Sequence, residues 1–113
     1  MSGILVSLSK NEDFKSILGG KRISNKYLTI FFKKISGKNE KKLNISFITK
    51  KKIGNAVRRN KIKRRLRNIM NDAAKKIDLN LKYCYLLIAK ISVLNGTYEN
   101  IKQTLFTDFE KIK

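Results

Sequence analysis

The feature that most constrains this chain is a densely basic segment that must also bury an apolar face. The eighteen residues from Lys50 to Arg67, KKKIGNAVRRNKIKRRLR, contain ten Lys or Arg and no acidic residue. From within this segment onward, apolar residues recur at spacings of four, three, four and four: Ile62, Leu66, Ile69, Ala73 and Ile77. The recurrence predicts an amphipathic helix from about Ala56 to Ile77. Charge of one sign on one rigid element repels itself unless a polyanion neutralises it, so the segment indicates a nucleic-acid partner.

Length and charge narrow the class of protein. The 113 residues suffice for one modest core, and we treat 1–113 as a single RNA-binding domain. A net charge of +19 is typical of nucleic-acid binding, with an anionic membrane as the alternative. No apolar run is long enough to span a bilayer, and Gly3–Leu8 lacks a preceding basic region, so we expect neither a transmembrane helix nor a signal peptide. Cys84 stands alone in an apolar run, which predicts a buried thiol and a cytoplasmic protein.

The residue types that hydrolytic chemistry uses are scarce. The chain has no histidine and one cysteine, which excludes a Cys/His zinc site and removes the usual general base near neutral pH. None of its eight acidic residues lies between Glu40 and Asp72. The pairs Glu12/Asp13 and Asp108/Glu110 fall near predicted helix ends, where we interpret them as capping and solvation. We therefore predict no catalytic residue and no metal site in the protein itself.

The remaining patterns predict an α+β fold, a two-layer α/β sandwich with a small mixed sheet and about three helices. Ser9-Lys10-Asn11-Glu12 has the form of a capping box for a first helix that ends at Gly19-Gly20. Strands are predicted at Tyr27–Phe32, Leu43–Lys50 and Tyr83–Ala89. The last helix carries a second apolar stripe: Ile101, Leu105, Phe109 and Ile112. The order is αβββαβα or αββαβα, depending on whether the Tyr27–Phe32 region and its neighbours make three strands or two. The long helix between two strands indicates a parallel crossover.

The long helix has a polar side suited to RNA. At about 100° per residue, four side chains lie together away from the apolar stripe: Asn60, Lys63, Arg64 and Arg67. Lys61 and Arg65 form a second row beside them. Arginine forks pair with phosphate, whereas Asn60 both donates and accepts and could read a base edge or a 2′-hydroxyl. The helix N-terminus at Asn55–Arg58 offers a further anion site. A solvated basic face is the alternative, and the absence of acid over residues 41–71 argues against it.

The same residues resemble the signature of the protein subunit of bacterial ribonuclease P. That signature combines a Lys, a Gly, an Ala-Val pair, an Arg-Asn pair and a Lys-Arg pair, followed by an Arg three residues later. This chain matches it at Lys52, Gly54, Ala56, Val57, Arg59, Asn60, Lys63, Arg64 and Arg67. The resemblance also covers Asn11-Glu12-Asp13-Phe14 before the first helix, the strands at Leu43–Lys50 and Tyr83–Ala89, and a last helix opening near Thr97-Tyr98-Glu99.

The resemblance implies that the chain is the protein component of an endoribonuclease, binding its catalytic RNA subunit and the 5′ leader of precursor tRNA. The protein assists removal of the leader, while the catalytic centre and Mg²⁺ are expected to reside mainly with the RNA, so the protein alone should not cleave. No membrane and no obligate protein partner are expected. With the helix terminus included, the predicted RNA-binding residues are Lys52, Asn55, Arg58, Arg59, Asn60, Lys61, Lys63, Arg64 and Arg67. Lys61 stands where the family often has Arg, which keeps the charge without the fork.

The resemblance further implies a cleft between the first helix and the sheet through which the single-stranded leader passes. The predicted leader-binding residues are Phe14, Leu18, Asn44, Ser46, Lys50 and Lys51. Phe14 suits base stacking and suits core packing equally well, and Leu18 stands where many members have a second aromatic residue. The family's βαβ crossover is left-handed, whereas general topology predicts a right-handed one.

Two other classes of protein stay open. One is a structural RNA binder of the ribosomal-protein type without a role in cleavage. The other is a membrane-surface protein, which would need an exposed apolar face beside the charge.

Overall fold

In the computed structural model, which describes residues 4–8 and 11–112, the chain forms one five-stranded sheet and three α-helices. The elements are β1 (Leu5–Val6), α1 (Asn11–Leu18), β2 (Lys21–Ser24), β3 (Leu28–Lys34), β4 (Leu43–Ile48), α2 (Ala56–Lys76), β5 (Tyr83–Ala89) and α3 (Tyr98–Glu110). Short 3₁₀ turns occupy Lys51–Ile53 and Ile91–Leu94. The α+β class is confirmed. From α1 onward the order is the predicted αβββαβα, but the two-residue strand β1 precedes it and was not predicted.

The sheet has the order β1-β4-β5-β3-β2. Strand β4 runs parallel to β1 and to β5, while β3 runs antiparallel to β5 and to β2. The parallel crossover from β4 to β5 through α2 is therefore confirmed, and its left-handedness stays a prediction. The capping-box residues Ser9 and Lys10 lie outside the described residues.

The two faces of the sheet are covered unequally. One face packs against α2 and α3 and holds the main core, where the ring of Tyr85 lies 5.1 Å from that of Phe109. Four residues of the predicted stripe of α2 are buried: Ile62, Leu66, Ile69 and Ala73. Ile77 is half-buried, and Met70, which was not predicted, is buried as well. Strands β3 and β5 contribute side chains to this core. Strand β5 is buried on both faces, as predicted.

The opposite face is covered by α1, which packs on β3 and β5. A smaller apolar cluster forms there from Leu8, Ile17, Cys84 and Leu86. Cys84 is a free buried thiol, as predicted, and burial raises its pKa. Helix α1 is only eight residues long, so the part of this face beyond it remains open.

Helix α1 is fixed at both ends. At its C-terminus the chain turns through Gly20, where a Cβ atom would lie 2.6 Å from the carbonyl oxygen of Phe32, so a side chain would clash with β3. Near its N-terminus, the buried Asp13 forms an ion pair with Lys38 from the β3–β4 connection, with Oδ2 2.6 Å from Nζ. The interpretation of Asp13 as a solvated capping residue was wrong.

The interpretation of Asp108 as a solvated capping residue was also wrong. It is buried on α3 and accepts a hydrogen bond of 2.8 Å from the side-chain amide of Asn25, which in turn caps the β2–β3 connection. A second, longer contact of 3.7 Å joins it to Lys111. Both carboxylates therefore tie distant segments together, which local sequence patterns do not reveal.

Candidate nucleic-acid interface

The N-terminus of α2 is built by two adjacent residues. Gly54 adopts φ 156° and ψ −169°, a region that glycine reaches most easily, and a Cβ atom there would lie 2.8 Å from the Cδ atom of Arg58. Asn55 then caps the helix, because its Oδ1 accepts the backbone N–H of Arg58 at 3.0 Å. The first turn contains no acidic residue, so the positive end of the helix is not compensated locally.

The exposed side chains that follow form what we call the basic face. It consists of Arg58, Asn60, Lys61, Arg64 and Arg67. Lys63 and Arg59 lie at its margins and are partly buried. Within residues 4–8 and 11–112, the side chains of Arg58, Asn60, Lys61 and Arg64 have no hydrogen-bonding or ionic partner. The sequence placed these residues together, and the structure leaves their head groups available to a ligand.

Two arginines of the predicted set make contacts that bear on their availability. Arg67 lies over the ring of Phe47 from β4, with Cζ 5.8 Å from the ring centroid. The Nε atom of Arg59 is buried and lacks a hydrogen-bond partner among the described residues. The guanidinium of Arg67 is therefore held over β4, whereas Arg59 keeps a buried N–H group that a ligand could accept from.

Arg65, unlike the exposed basic residues beside it, forms hydrogen bonds within the protein. Its Nη1 atom donates to the carbonyl oxygens of Val93 at 3.2 Å and Gly96 at 3.0 Å, and its side chain is partly buried. These contacts tie α2 to the segment that leads into α3. Arg65 therefore belongs to the packing of the domain, although helical spacing alone had put it beside Lys61 in the second basic row.

The positive charge of α2 weakens toward its C-terminus. Asp72 lies 3.4 Å from the Nζ atom of Lys102 and accepts a hydrogen bond of 3.4 Å from the hydroxyl of Tyr98, both on α3. Desolvation raises the pKa of this carboxyl, but Lys102 and Lys76 outweigh it and lower the pKa below its ordinary value. The charged Asp72 joins α2 to α3 and confines the uncompensated basic face to the first half of α2.

The predicted leader-binding residues separate into two groups. Phe14 is partly buried against the α1 cluster, Leu18 is 47% exposed at the end of α1, and Lys50 and Lys51 are exposed after β4. Asn44 and Ser46, in contrast, are only 3% and 9% exposed. Their assignment to the surface of a cleft is therefore not supported by the structure.

Both buried polar residues hold backbone segments. The amide of Asn44 donates to the carbonyl oxygens of Asn39 at 3.0 Å and Lys42 at 3.4 Å. The hydroxyl of Ser46 accepts the N–H of Leu8 at 2.9 Å and donates to its carbonyl oxygen at 3.0 Å. The chain leading to α1 thus lies on Ser46, and Asn44 is bound to the β3–β4 connection, which explains why neither side chain faces an open groove.

The open part of the sheet face forms what we call the sheet groove. Its floor carries Ile48, Ile88 and Thr29 on neighbouring strands, and all three are half-buried. It leads into a pocket of about 440 Å³ lined by Thr29, Lys50, Lys52, Ile53, Ile88, Ala89, Lys90 and Ile91. Ile88 and Lys90 were missed because β5 reads as a continuous apolar run, which does not reveal the face of the sheet that stays open.

The carboxylates do not gather near either surface. Within residues 4–8 and 11–112, no group of three or more His, Cys, Asp or Glu side chains is placed to hold a metal ion. In the same part of the chain, no helix is long and apolar enough to cross a membrane.

The domain is small, basic and α+β, and it has an open sheet groove whose lining residues Lys52 and Ile53 lead into the capped basic helix α2. The chain belongs to the Ribonuclease P family, whose model matches residues 5–113. It is 32% identical over 99 residues to the ribonuclease P protein component of Listeria monocytogenes serotype 4b, covering 87% of this chain and 80% of the relative. It is also 32% identical over 105 residues to that of Bacillus pumilus, covering 92% and 85%.

Solved structures agree with this assignment. The fold matches the RNase P protein of Staphylococcus aureus with a TM-score of 0.76 and 27% identity, covering 94% of this chain and 93% of that one. It matches the RNase P protein of Thermotoga maritima with a TM-score of 0.78, covering 96% and 98%. That second likeness, at 23% identity, concerns the fold alone.

Proposed function

We propose that the protein uses two separate surfaces: the basic face binds the catalytic RNA subunit, and the sheet groove binds the single-stranded 5′ leader of precursor tRNA. In this way it assists endonucleolytic removal of the leader to give the mature 5′ end, in the cytoplasm. The observation that carries the proposal is the row of cationic side chains on α2 that lack protein partners and lie next to an open, partly apolar groove.

Contact with the RNA subunit follows from charge and hydrogen bonding. The head groups of Arg58, Lys61 and Arg64 need no rearrangement within the protein before they meet phosphates. Asn60 lies among them as the neutral side chain able to donate and accept at once, which suits a 2′-hydroxyl or a base edge. Each phosphate neutralised should steepen the salt dependence of log affinity by about 0.7 to 0.9.

Contact with the leader follows from the mixed character of the groove. Ile48 and Ile88 give the floor an apolar surface, the hydroxyl of Thr29 lies 3.3 Å from that of Ser24, and Lys50 and Lys52 supply positive charge at one side. Phe14 stands at the α1 side with part of its ring accessible. Such a combination holds a nucleotide strand by its backbone and base faces, independently of sequence. Leu18 offers apolar contact without stacking, and Asn44 and Ser46 take no part.

Hydrolysis itself is assigned to the RNA. Among residues 4–8 and 11–112, no three carboxylates are grouped so that they could hold a metal ion. We propose that Mg²⁺ is bound mainly by the RNA partners and that the catalytic centre lies there. The protein would then contribute affinity and orientation rather than a reacting group.

The test is cleavage of precursor tRNA at low Mg²⁺ by the cognate RNA subunit alone, by the protein alone and by both together. We expect rapid cleavage with both and none with the protein alone. If the protein binds the RNA subunit tightly without increasing cleavage, the alternative of a structural RNA binder replaces the proposal. Binding to anionic liposomes that RNA does not compete away would favour the membrane-surface alternative.

A further inference from the structure

We infer that the sheet groove continues past β3 to the edge strand β2, where Arg22 binds the leader backbone several nucleotides from the cleavage site. The inference rests on the proposed function and adds one residue and a length limit to it. The sequence did not predict Arg22 as a binding residue, because it lies outside the basic segment and within a short strand that was not predicted separately.

The register of the sheet places Arg22 on the groove side. Arg22 pairs with Phe31 on β3, and Phe31 pairs with Leu86 on β5. Residues directly opposite each other on neighbouring strands project from the same face. Because Phe31 and Leu86 belong to the apolar cluster beneath α1, Arg22 projects from the same face at the outer edge.

The next row of the sheet carries the groove in the same direction. Ile48 pairs with Ile88, Ile88 with Thr29, and Thr29 with Ser24 on β2. This row starts beside Lys50 and ends at the edge strand. A strand of RNA that enters at Lys50 and follows this row leaves the sheet at Ser24, two residues along β2 from Arg22 on the same face.

The guanidinium of Arg22 is available for such a contact. It is exposed, and within the described residues it has no hydrogen-bond or ionic partner. Lys90, at the same end of the groove, differs: its Nζ atom donates to Ser24 Oγ at 2.9 Å and to the carbonyl oxygen of Asn25 at 2.6 Å. Lys90 thus holds the β2–β3 connection in place, while Arg22 remains free to pair with phosphate.

A structural explanation for Arg22 also exists. Charged side chains on an edge strand discourage pairing with the edge of another molecule. Lys21 serves that purpose equally well, since it is also exposed on β2 and pairs with Phe32 on the opposite face of the sheet. The two neighbours therefore separate a contribution to leader binding from edge protection.

The geometry sets the length of leader involved. From β4 to β2 the groove crosses three spacings between strands, about 14 Å in all. At about 3.4 Å per stacked nucleotide this is about four nucleotides, and fewer if the strand is extended. The inference places the cleavage site at the Lys50 end of the groove, so leaders shorter than the groove should not reach Arg22.

The experiment measures the affinity of reconstituted holoenzyme for precursor tRNAs whose leaders increase from one to ten nucleotides, with mature tRNA as reference. The variants are Arg22→Ala, Arg22→Lys and the matched control Lys21→Ala. For the unmodified protein we expect affinity to rise with leader length and then level off. Arg22→Ala should level off earlier and lose about 2- to 10-fold on long leaders, with no change on the shortest leaders or on mature tRNA. Arg22→Lys should lose less, and Lys21→Ala nothing.

Two results would overturn the inference while leaving the proposed function intact. One is an unchanged length profile for Arg22→Ala while the unmodified protein still gains affinity from the leader. The other is an equal loss for Arg22→Ala and Lys21→Ala, which would indicate a diffuse charge effect. If the unmodified holoenzyme gains nothing from any leader, the proposed leader groove itself fails, together with this extension.

Discussion

Arg65 donates a hydrogen bond from Nη1 to the carbonyl oxygen of Gly96 at 3.0 Å, and so joins the basic helix to the segment before α3. A second bond from the same atom reaches Val93 at 3.2 Å. The adjacent Arg64 is exposed and has no such partner among the described residues. Of these two neighbouring arginines, Arg65 therefore stabilises the fold, and Arg64 is available to bind a ligand.

The first prediction concerns this pair. Arg65→Ala should lower the free energy of unfolding by about 1–3 kcal/mol, because the carbonyl groups of the buried Val93 and the partly buried Gly96 lose a charged donor. Arg64→Ala should change it by less than about 0.5 kcal/mol, as is usual for an exposed substitution. Urea denaturation of both variants measures the difference. Equal stability of the two variants would contradict the structural role of Arg65.

The second prediction concerns the segment held on β4. Ser46→Ala removes both hydrogen bonds to Leu8 and leaves a buried N–H group without its partner, so stability should fall by about 1–3 kcal/mol. Affinity for the leader should not change once the protein is folded. Ser36→Ala, in an exposed turn, is the control. A selective loss of leader affinity at full stability would restore the original assignment of Ser46 to the cleft.

The third prediction tests the ion pair between α1 and the β3–β4 connection. Lys38→Met leaves the largely buried carboxylate of Asp13 without its partner and should cost about 1–3 kcal/mol, less than for a fully buried pair. The companion variant Lys41→Met removes the same charge from an exposed position of the same connection. Thermal denaturation should therefore separate the two variants. If they melt alike, the ion pair contributes nothing to holding α1.

The fourth prediction concerns alkaline pH. Burial raises the pKa of Tyr85, with smaller contributions from Tyr83 and Cys84. The pKa of a tyrosine in the unfolded chain is about 10. The stability that neutral Tyr85 contributes is therefore complete below that pH and is lost as the pH rises further. Tyr85→Phe should therefore lose less stability between pH 8 and 11 than the unmodified protein.

At neutral pH the same variant should be less stable by about 1 kcal/mol, because the Tyr85 hydroxyl no longer donates to the carbonyl oxygen of Asn80 at 2.7 Å. Urea denaturation at several pH values gives both quantities. Parallel pH profiles for the two proteins would show that Tyr85 does not titrate differently on unfolding.

Local patterns allowed much of this fold to be predicted. Helix α2 repeats its apolar residues over about four turns and begins at a recognisable cap, so its bounds at Ala56 and Lys76 are close to those expected. The strands β1 and β2 have two and four residues, which is too short for periodicity to appear. They form because neighbouring strands pair with them: Leu5 of β1 pairs with Leu43 of the distant β4, and β2 pairs with β3, the next strand along the chain. Strands this short depend on their partners, which their own residue patterns do not show.

The sequence predicted which residues lie on the basic helix, but not which of their side chains are bound within the protein. Spacing places Arg64 and Arg65 on the polar side of one helix, and the segment that meets Arg65 lies 28 to 31 residues further along the chain. Likewise, Ser46 alternates outward along β4 as expected for a groove residue, yet Leu8 covers it from 38 residues away. Sequence distance conceals which polar groups find a partner within the protein.

The most direct test of the two-surface account compares Arg64→Ala on the basic face with Lys50→Ala in the sheet groove. Each reconstituted protein is assayed for affinity to the RNA subunit and for its preference for precursor over mature tRNA. The account predicts that Arg64→Ala weakens the first and Lys50→Ala reduces the second, with the other quantity unchanged in each case. Equal losses of both quantities in both variants would contradict it and indicate one undivided basic surface.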